Sequence, residues 1–171
     1  ITPNQDFYGE VPIDVTVSDG DLSDSTTFIL TVLPVNDAPT IDEVSDQSIN
    51  EDGVFEYQLN AFDVDEDPLT FSASVDGNAV VSVDETSLTV TPDSDWYGDL
   101  VLSVSVTDGE YTDSTTFTVT VNPVNDAPVL DEISDQAIDE DSSFNLTLSG
   151  SDIDSEELYF SASIDGNGSI Q

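Results

Sequence analysis

The sequence repeats itself with a period of 89 residues and no gap. PVNDAP stands at residues 34–39 and again at 123–128. TPNQDFYGE, beginning at Thr2, is answered by TPDSDWYGD at Thr91, and DSTTF begins at both Asp24 and Asp113. DEVSDQSINED at Asp42 returns as DEISDQAIDED at Asp131, and FSASVDGN at Phe71 as FSASIDGN at Phe160. The period exceeds the roughly 20–50 residues of a solenoid repeat, so each copy is expected to be a small domain with its own core.

The chain is out of phase with this period. Residues 1–37 read as the C-terminal part of one module, 38–126 as a whole module and 127–171 as the opening of a third. Two full periods would need seven more residues, the counterparts of VDETSLT at 83–89. The reading favoured is a cut from a longer chain. The alternative is that strands are donated between identical chains.

Alternation of apolar and polar residues places strands at 42–49, 54–60, 69–75, 80–82, 87–91, 100–107 and 112–122. In TTFTVTVNPV, Phe117, Val119 and Val121 share one face and threonines the other. Turn residues separate the strands at Asp67-Pro68, Asp76-Gly77-Asn78, Tyr97-Gly98-Asp99 and Asp108-Gly109. No segment sustains a helical period. Seven short strands per 89-residue repeat predict an all-β fold, a tandem array of immunoglobulin-like Greek-key β-sandwiches.

Charge narrows the function. The chain has 38 Asp and Glu, no Lys, Arg, His or Cys, and a formal charge of −38. Binding to nucleic acid requires cationic side chains that displace counterions, and binding to anionic membrane surfaces requires the same residues. Both partners are excluded. No apolar run approaches the roughly 18 residues of a membrane-spanning helix. Without Cys the fold has no disulfides to rely on. Nucleophile schemes built on Ser–His, Cys–His or Lys are ruled out, which leaves only paired carboxylates as a catalytic option. The chain is therefore not expected to be an enzyme. Uncompensated charge opposes compaction, and bound cations are the expected remedy. Adaptation to high salt is the competing explanation.

Acidic clusters recur in register. Asn36-Asp37 returns as Asn125-Asp126, Glu51-Asp52 as Glu140-Asp141, and Asp63-x-Asp65-x-Asp67 as Asp152-x-Asp154-x-Glu156. Calcium takes about six to eight oxygen ligands, and alternating acids in a turn can converge on one ion. An EF-hand is excluded, because Pro68 follows where that loop needs glycine and no helices flank it.

These residues resemble the cadherin-like tandem repeats of giant bacterial surface and biofilm adhesins. Glu51 and Glu140 fall at the family's early acid. Ala61-Phe62-Asp63-Val64-Asp65 and Gly150-Ser151-Asp152-Ile153-Asp154 match its Ala-Thr-Asp-x-Asp motif. Asp19 and Asp108 match the Asp that ends a later strand. Asn36-Asp37-Ala38-Pro39 and Asn125-Asp126-Ala127-Pro128 match its closing linker. Pro34 and Pro123 replace the first linker Asp, and the second linker Asn is missing. The Asp-Arg-Glu motif has no clear match, although Asp6 and Asp95 lie near its place.

The resemblance implies calcium as the cofactor and sites that span two modules. Asn36 and Asp37 would act with Asp63, Asp65 and Asp108 at the first junction. Glu51, Asn125, Asp126, Asp152 and Asp154 would act at the second. The implied partners are neighbouring repeats or identical chains, outside the cell, in adhesion or biofilm. The implied role is a calcium-stiffened spacer, with a self-assembling filament subunit and a carbohydrate-binding module as alternatives. Asn145-Leu146-Thr147 and Asn167-Gly168-Ser169 fit the N-glycosylation pattern. Trp96 is expected to be a core or corner aromatic, not a sugar platform.

Overall fold

The structure, a computed structural model, describes residues 1–164 and residue 166. Among these the chain is all-β. Strands β1 (Gly9–Ser18) and β2 (Ser23–Val32) form a hairpin. The complete repeat supplies β3 (Thr40–Ile41), β4 (Gln47–Asn50), β5 (Phe55–Gln58), β6 (Ala61–Phe62), β7 (Thr70–Val75), β8 (Ala79–Asp84), β9 (Ser87–Pro92), β10 (Gly98–Thr107) and β11 (Thr112–Asn122). Two short strands follow, β12 (Val129–Leu130) and β13 (Gly150–Ser151).

One layer of the sandwich runs β4-β11-β10-β7, with β4 parallel to β11 and the other pairs antiparallel. The other layer carries β5-β9-β8 and the short β3-β6 pair. This is an immunoglobulin-like β-sandwich.

The core follows from the period-2 pattern of the strands. Leu100, Leu102, Val104 and Val106 of β10 point inward and are fully buried. Phe117, Val119 and Val121 of β11 join them from the neighbouring strand. Leu88 and Val90 of β9 and Phe55 of β5 face them from the other layer. The Phe55 and Phe117 rings meet across the sandwich with centroids 6.1 Å apart.

Two expected strands are interrupted. The segment 42–49 is not one strand, because the chain changes layers there: β3 pairs with β6 in one sheet and β4 with β11 in the other. Val44 is buried in the crossing. The Asp46 carboxylate accepts the Thr118 amide at 2.8 Å. The segment 54–60 divides into β5 and, just beyond it, β6. Between them Leu59 is buried, and its amide donates to the Thr86 carbonyl at 2.8 Å.

The sequence period is also a structural one. In the β1–β2 ladder Gly9 faces Val32, and in the β10–β11 ladder Gly98 faces Val121, 89 residues on. β12 pairs with β13 as β3 pairs with β6. Segments 136–139 and 144–147, the counterparts of β4 and β5, are not strands. In the complete repeat those strands take their ladders from β11 and β9.

Leu102 and Ser103 are neighbours in β10 on opposite faces. Leu102→Ala is expected to cost about 2–5 kcal/mol through cavity formation, whereas the exposed Ser103→Ala is expected to stay within about 0.5 kcal/mol. Urea unfolding of the two variants measures the contrast. Equal losses would contradict the facing assigned to β10.

Candidate metal centre

Acids gather where one repeat passes into the next. After β2 the chain runs through Asn36 and Asp37. The Asn36 Nδ2 donates to Asp108 Oδ2 at 2.9 Å, and the Asp37 amide donates to Asp65 Oδ2 at 2.8 Å. The linker is thus tied to two loops of the repeat that follows. Asp65 lies in a turn that begins directly after β6. In that turn Asp63 Oδ1 accepts the amides of Asp65 and Asp67 at 2.9 and 3.4 Å. Glu66 has a left-handed backbone, φ 62°. The turn brings carboxylate oxygens of Asp63, Asp65 and Asp67 within 4.8 Å of one another.

The second junction follows β11. Glu51 stands at the end of β4 and is 6 % exposed. Its amide donates to the Asn122 carbonyl at 2.9 Å, and its Oε1 accepts the Val124 amide. The Asp126 amide donates to Asp154 Oδ2 at 2.5 Å, repeating the Asp37–Asp65 contact. Asp152 Oδ1 accepts the amides of Asp154 and Ser155 at 2.9 and 2.8 Å. Asn125 Nδ2 donates to the Asp126 carbonyl at 2.6 Å. Two groups of three acids result, Glu51–Asp126–Asp154 and Asp52–Asp95–Asp126, each with oxygens within 4.8 Å. Asp126 belongs to both.

The expected site residues therefore have different fates. Asn36, Asp37, Asp63, Asp65 and Asp108 come together around the first linker. Glu51, Asp126 and Asp154 come together at the second, with Asn125 and Asp152 beside them. Asp108 is engaged on both oxygens: Oδ1 accepts the Glu110 and Tyr111 amides at 2.7 Å and Oδ2 holds Asn36. It anchors the linker. Glu140 is exposed and joins none of the three-acid groups among the described residues.

Three acids of these groups were not in the expected ligand sets: Asp52, Asp67 and Asp95. Their signal was in the repeat. Asp6 and Asp95, and likewise Asp52 and Asp141, are acids one period apart, and all four have left-handed backbones with φ of 56°, 56°, 59° and 65°. In the second junction Asp52 Oδ1 accepts the Asp95 amide at 3.2 Å.

The electrostatics reflect the crowding. The Asp126 carboxyl is pushed above its ordinary value by desolvation and by the charges of Asp154, Asp95, Asp52 and Glu51. Asp37 is raised by desolvation and by Asp6, Asp65 and Asp63. Asp108 is lowered: desolvation opposes the shift, but the amides of Tyr111 and Glu110 and the Asn36 side chain outweigh it. The amides of Leu22 and Asp21 lower Asp19 in the same way.

All these side-chain donors are oxygens, which suits a hard divalent cation and not a soft or borderline metal. Asp63 is 5 % exposed, and its Oδ2 is buried with no hydrogen-bond partner. Trp96 is partly buried against the core, with its ring lying over Gly98. Asn145 is exposed, while residues 167–169 lie outside the described residues.

The profile of the bacterial Ig domain family matches residues 36–122, just over half of the chain. The chain belongs to the bacterial Ig domain family. Bacterial Ig domains are in general non-catalytic and typical of extracellular or surface proteins. Similar solved structures include an endo-fucoidan hydrolase of glycoside hydrolase family 107, at 21 % identity and a TM-score of 0.38. That match covers 67 % of this chain and 19 % of the hydrolase. A second hydrolase of the same family shows 15 % identity and a TM-score of 0.39, covering 70 % and 23 %. A chimeric titin Z1Z2 carrying a peptide from decorin shows 11 % identity and a TM-score of 0.37, covering 66 % and 62 %. The chain spans about a fifth of the length of the hydrolases. Similarity at this level bears on neither activity nor ligand. No curated protein matches this bacterial Ig domain chain.

The shifted carboxyls make the cation-free chain respond to pH in two opposite ways. A carboxyl raised in the folded state contributes stability below its unfolded value and loses it as pH rises through the folded value. A lowered carboxyl contributes stability above its unfolded value and loses it as pH falls through the folded value. In chelator, acidification from neutral pH is expected first to stabilise the chain, as Asp37 and Asp126 take up protons. At lower pH the contributions of Asp19 and Asp108 are lost. Carboxyl-detected NMR titration and thermal melting follow both. Protonation of Asp19 and Asp108 before Asp37 and Asp126 on acidification would contradict the assignment.

Proposed function

We propose that this chain is part of a calcium-stiffened string of bacterial Ig domains, arranged as in cadherin-like adhesins, that serves as a spacer in an extracellular adhesin or surface fibre. In this reading residues 1–37, 38–126 and 127–171 belong to three consecutive modules. The observation that carries it is the gathering of Glu51, Asp126 and Asp154 at the second junction. These acids come from a module, its linker and the next module, in a chain without Lys, Arg or His. Unneutralised, they repel and push the modules apart.

Each residue has a definable part. Glu51 fixes the start of the linker through the Val124 amide, and Asp154 fixes its end through the Asp126 amide. Asp126 sits between the two acid groups and serves both. Asp52 and Asp95 hold each other on the preceding module. Asn125 and Asp152 complete the oxygen-rich surroundings. At the first junction Asp37, Asp63 and Asp65 take the corresponding places, with Asn36 held by Asp108. Glu140, one period after Glu51, would serve the junction that follows the third module. Bound calcium supplies the missing positive charge and accepts about six to eight oxygens. Tension along the string would then be carried by paired, oriented junctions in place of free hinges.

Small-angle scattering at low salt tests the reading. Calcium is expected to give a longer and narrower distribution of particle dimensions than chelator does. The double substitution Glu51→Gln with Asp126→Asn is expected to remove that response at the second junction. Identical scattering with calcium and with chelator would refute the proposal.

A further inference from the structure

The β1–β2 hairpin carries the apolar face of β10–β11 without the layer that covers it. Val104, Val106 and Phe117 are buried, whereas Val15, Val17 and Phe28, one period earlier, are 48 %, 69 % and 47 % exposed. Among the described residues β1 and β2 pair only with each other, so both outer edges are open, and open edges invite further strands. The segment after the second linker carries the opposite surface. A groove of about 610 Å³ opens there, lined in part by Leu130, Ile133, Leu148, Phe160 and Ala162. Their counterparts Ile41, Val44, Leu59, Phe71 and Ala73 belong to the core that β10 and β11 close. The complete repeat thus shows what fits this groove: a hairpin of the kind that β1–β2 repeats.

We propose that copies of this chain join head to tail, the β1–β2 hairpin of one entering the groove at residues 127–164 of another in the register of the complete repeat. In that repeat Val104 faces Ala73, Ser105 faces Ser72 and Val106 faces Phe71. The same register sets Val15, Thr16 and Val17 against Ala162, Ser161 and Phe160 of the second copy. On the other edge β11 runs parallel to β4, Val119 beside Gln47, which sets Leu30 beside Gln136. Asp113 and Asp46 accept the amides of Ile41 and Thr118; Asp24 and Asp135 stand ready to do so for Leu130 and Ile29 across the contact. None of these pairings uses counterparts of residues 83–89. Main-chain hydrogen bonds supply the affinity, and the alternating apolar residues fix the register. The second copy also completes the first junction. At the second junction Glu51 and Asp52 gather with Asp126, Asp154 and Asp95. The acids that repeat Glu51 and Asp52 are Glu140 and Asp141, and those of the second copy come beside Asp37, Asp65 and Asp6. The contact rests on the junction reading for its cation alone. It is heterologous, so each copy gives a hairpin and receives one, and assembly extends beyond two.

Disulfide trapping in the full chain, which has no cysteine of its own, tests the register. The Ser72 and Ser105 hydroxyls lie 2.8 Å apart, and Ser161 and Thr16 are their counterparts. A Thr16→Cys chain mixed with a Ser161→Cys chain under mild oxidation is expected to give a covalent heterodimer. Ser163→Cys in place of Ser161→Cys, two residues out of register, is expected to give roughly tenfold less. Sedimentation of the unaltered chain in calcium is expected to show a mass that rises with concentration. Val15→Glu with Val17→Glu, at side chains a single chain exposes, is expected to abolish that rise while circular dichroism stays unchanged. A monomer at every concentration, in calcium and in high salt alike, would overturn the proposal. So would equal cross-linking of the two cysteine pairs, because the contact would then have no register. Cross-linking in register in chelator, once salt screens the charge, supports the proposal and removes calcium from the contact, so a failure of the calcium reading is told apart from a failure of this one.

Discussion

Every carboxylate in this chain must be satisfied without a cationic side chain, and the structure is organised around that shortage. Backbone amides are the main internal substitute. Asp19 and Asp108 close the β1–β2 and β10–β11 turns by accepting amides two and three residues ahead. Asp113 accepts the Ile41 amide at 3.0 Å and Asp46 the Thr118 amide at 2.8 Å, so acids bolt the crossing segment to β11. Glu51, Asp65 and Asp154 do the same for the linkers. Charge-assisted bonds of this kind are stronger than neutral ones. Where amides run out, at the junctions and at Asp63 Oδ2, the carboxylates have no internal donor to compensate them.

The same shortage shapes the sheet surface. Rows across β7, β10 and β11 carry Thr70, Thr107 and Thr112, then Ser72, Ser105 and Ser114, then Ser74, Ser103 and Thr116. Like charges placed opposite each other on adjacent strands are destabilising. Hydroxyls keep this face polar without that repulsion, and Ser72 and Ser105 lie 2.8 Å apart as a hydrogen-bonded pair. On these three strands the acids stand only at the turns and near the strand ends. That segregation gives the domain both an ordinary immunoglobulin-like core and two crowded poles.

Much of the fold was legible because strand alternation is local. Phe117, Val119 and Val121 announce their shared face in TTFTVTVNPV without reference to any partner. Layer changes were not legible. Val44 and Leu59 look like ordinary strand residues, but each occupies a point where the chain changes its pairing partner, and pairing is a long-range property. The candidate site shows the same division. Asp63, Asp65 and Asp126 were visible as repeated acids near strand ends. Asp52 and Asp95 were repeated acids too, but their meeting needed the tertiary structure, since they are 43 residues apart and come together only through loops of the sandwich.

The sequence by itself determined the all-β class, the 89-residue period, the apolar faces of β10 and β11 and a charge of −38 with no cationic side chain. These depend on composition and on periodicities of a few residues or of one repeat. The tertiary structure decided which carboxylates are crowded and which are satisfied. Asp108 and Asp126 are both acids next to turns, yet amide donors lower one and neighbouring charges raise the other. Only folding brings Glu51 and Asp154, 103 residues apart in sequence, to the same few ångströms, because electrostatic energy depends on distance in space and not along the chain.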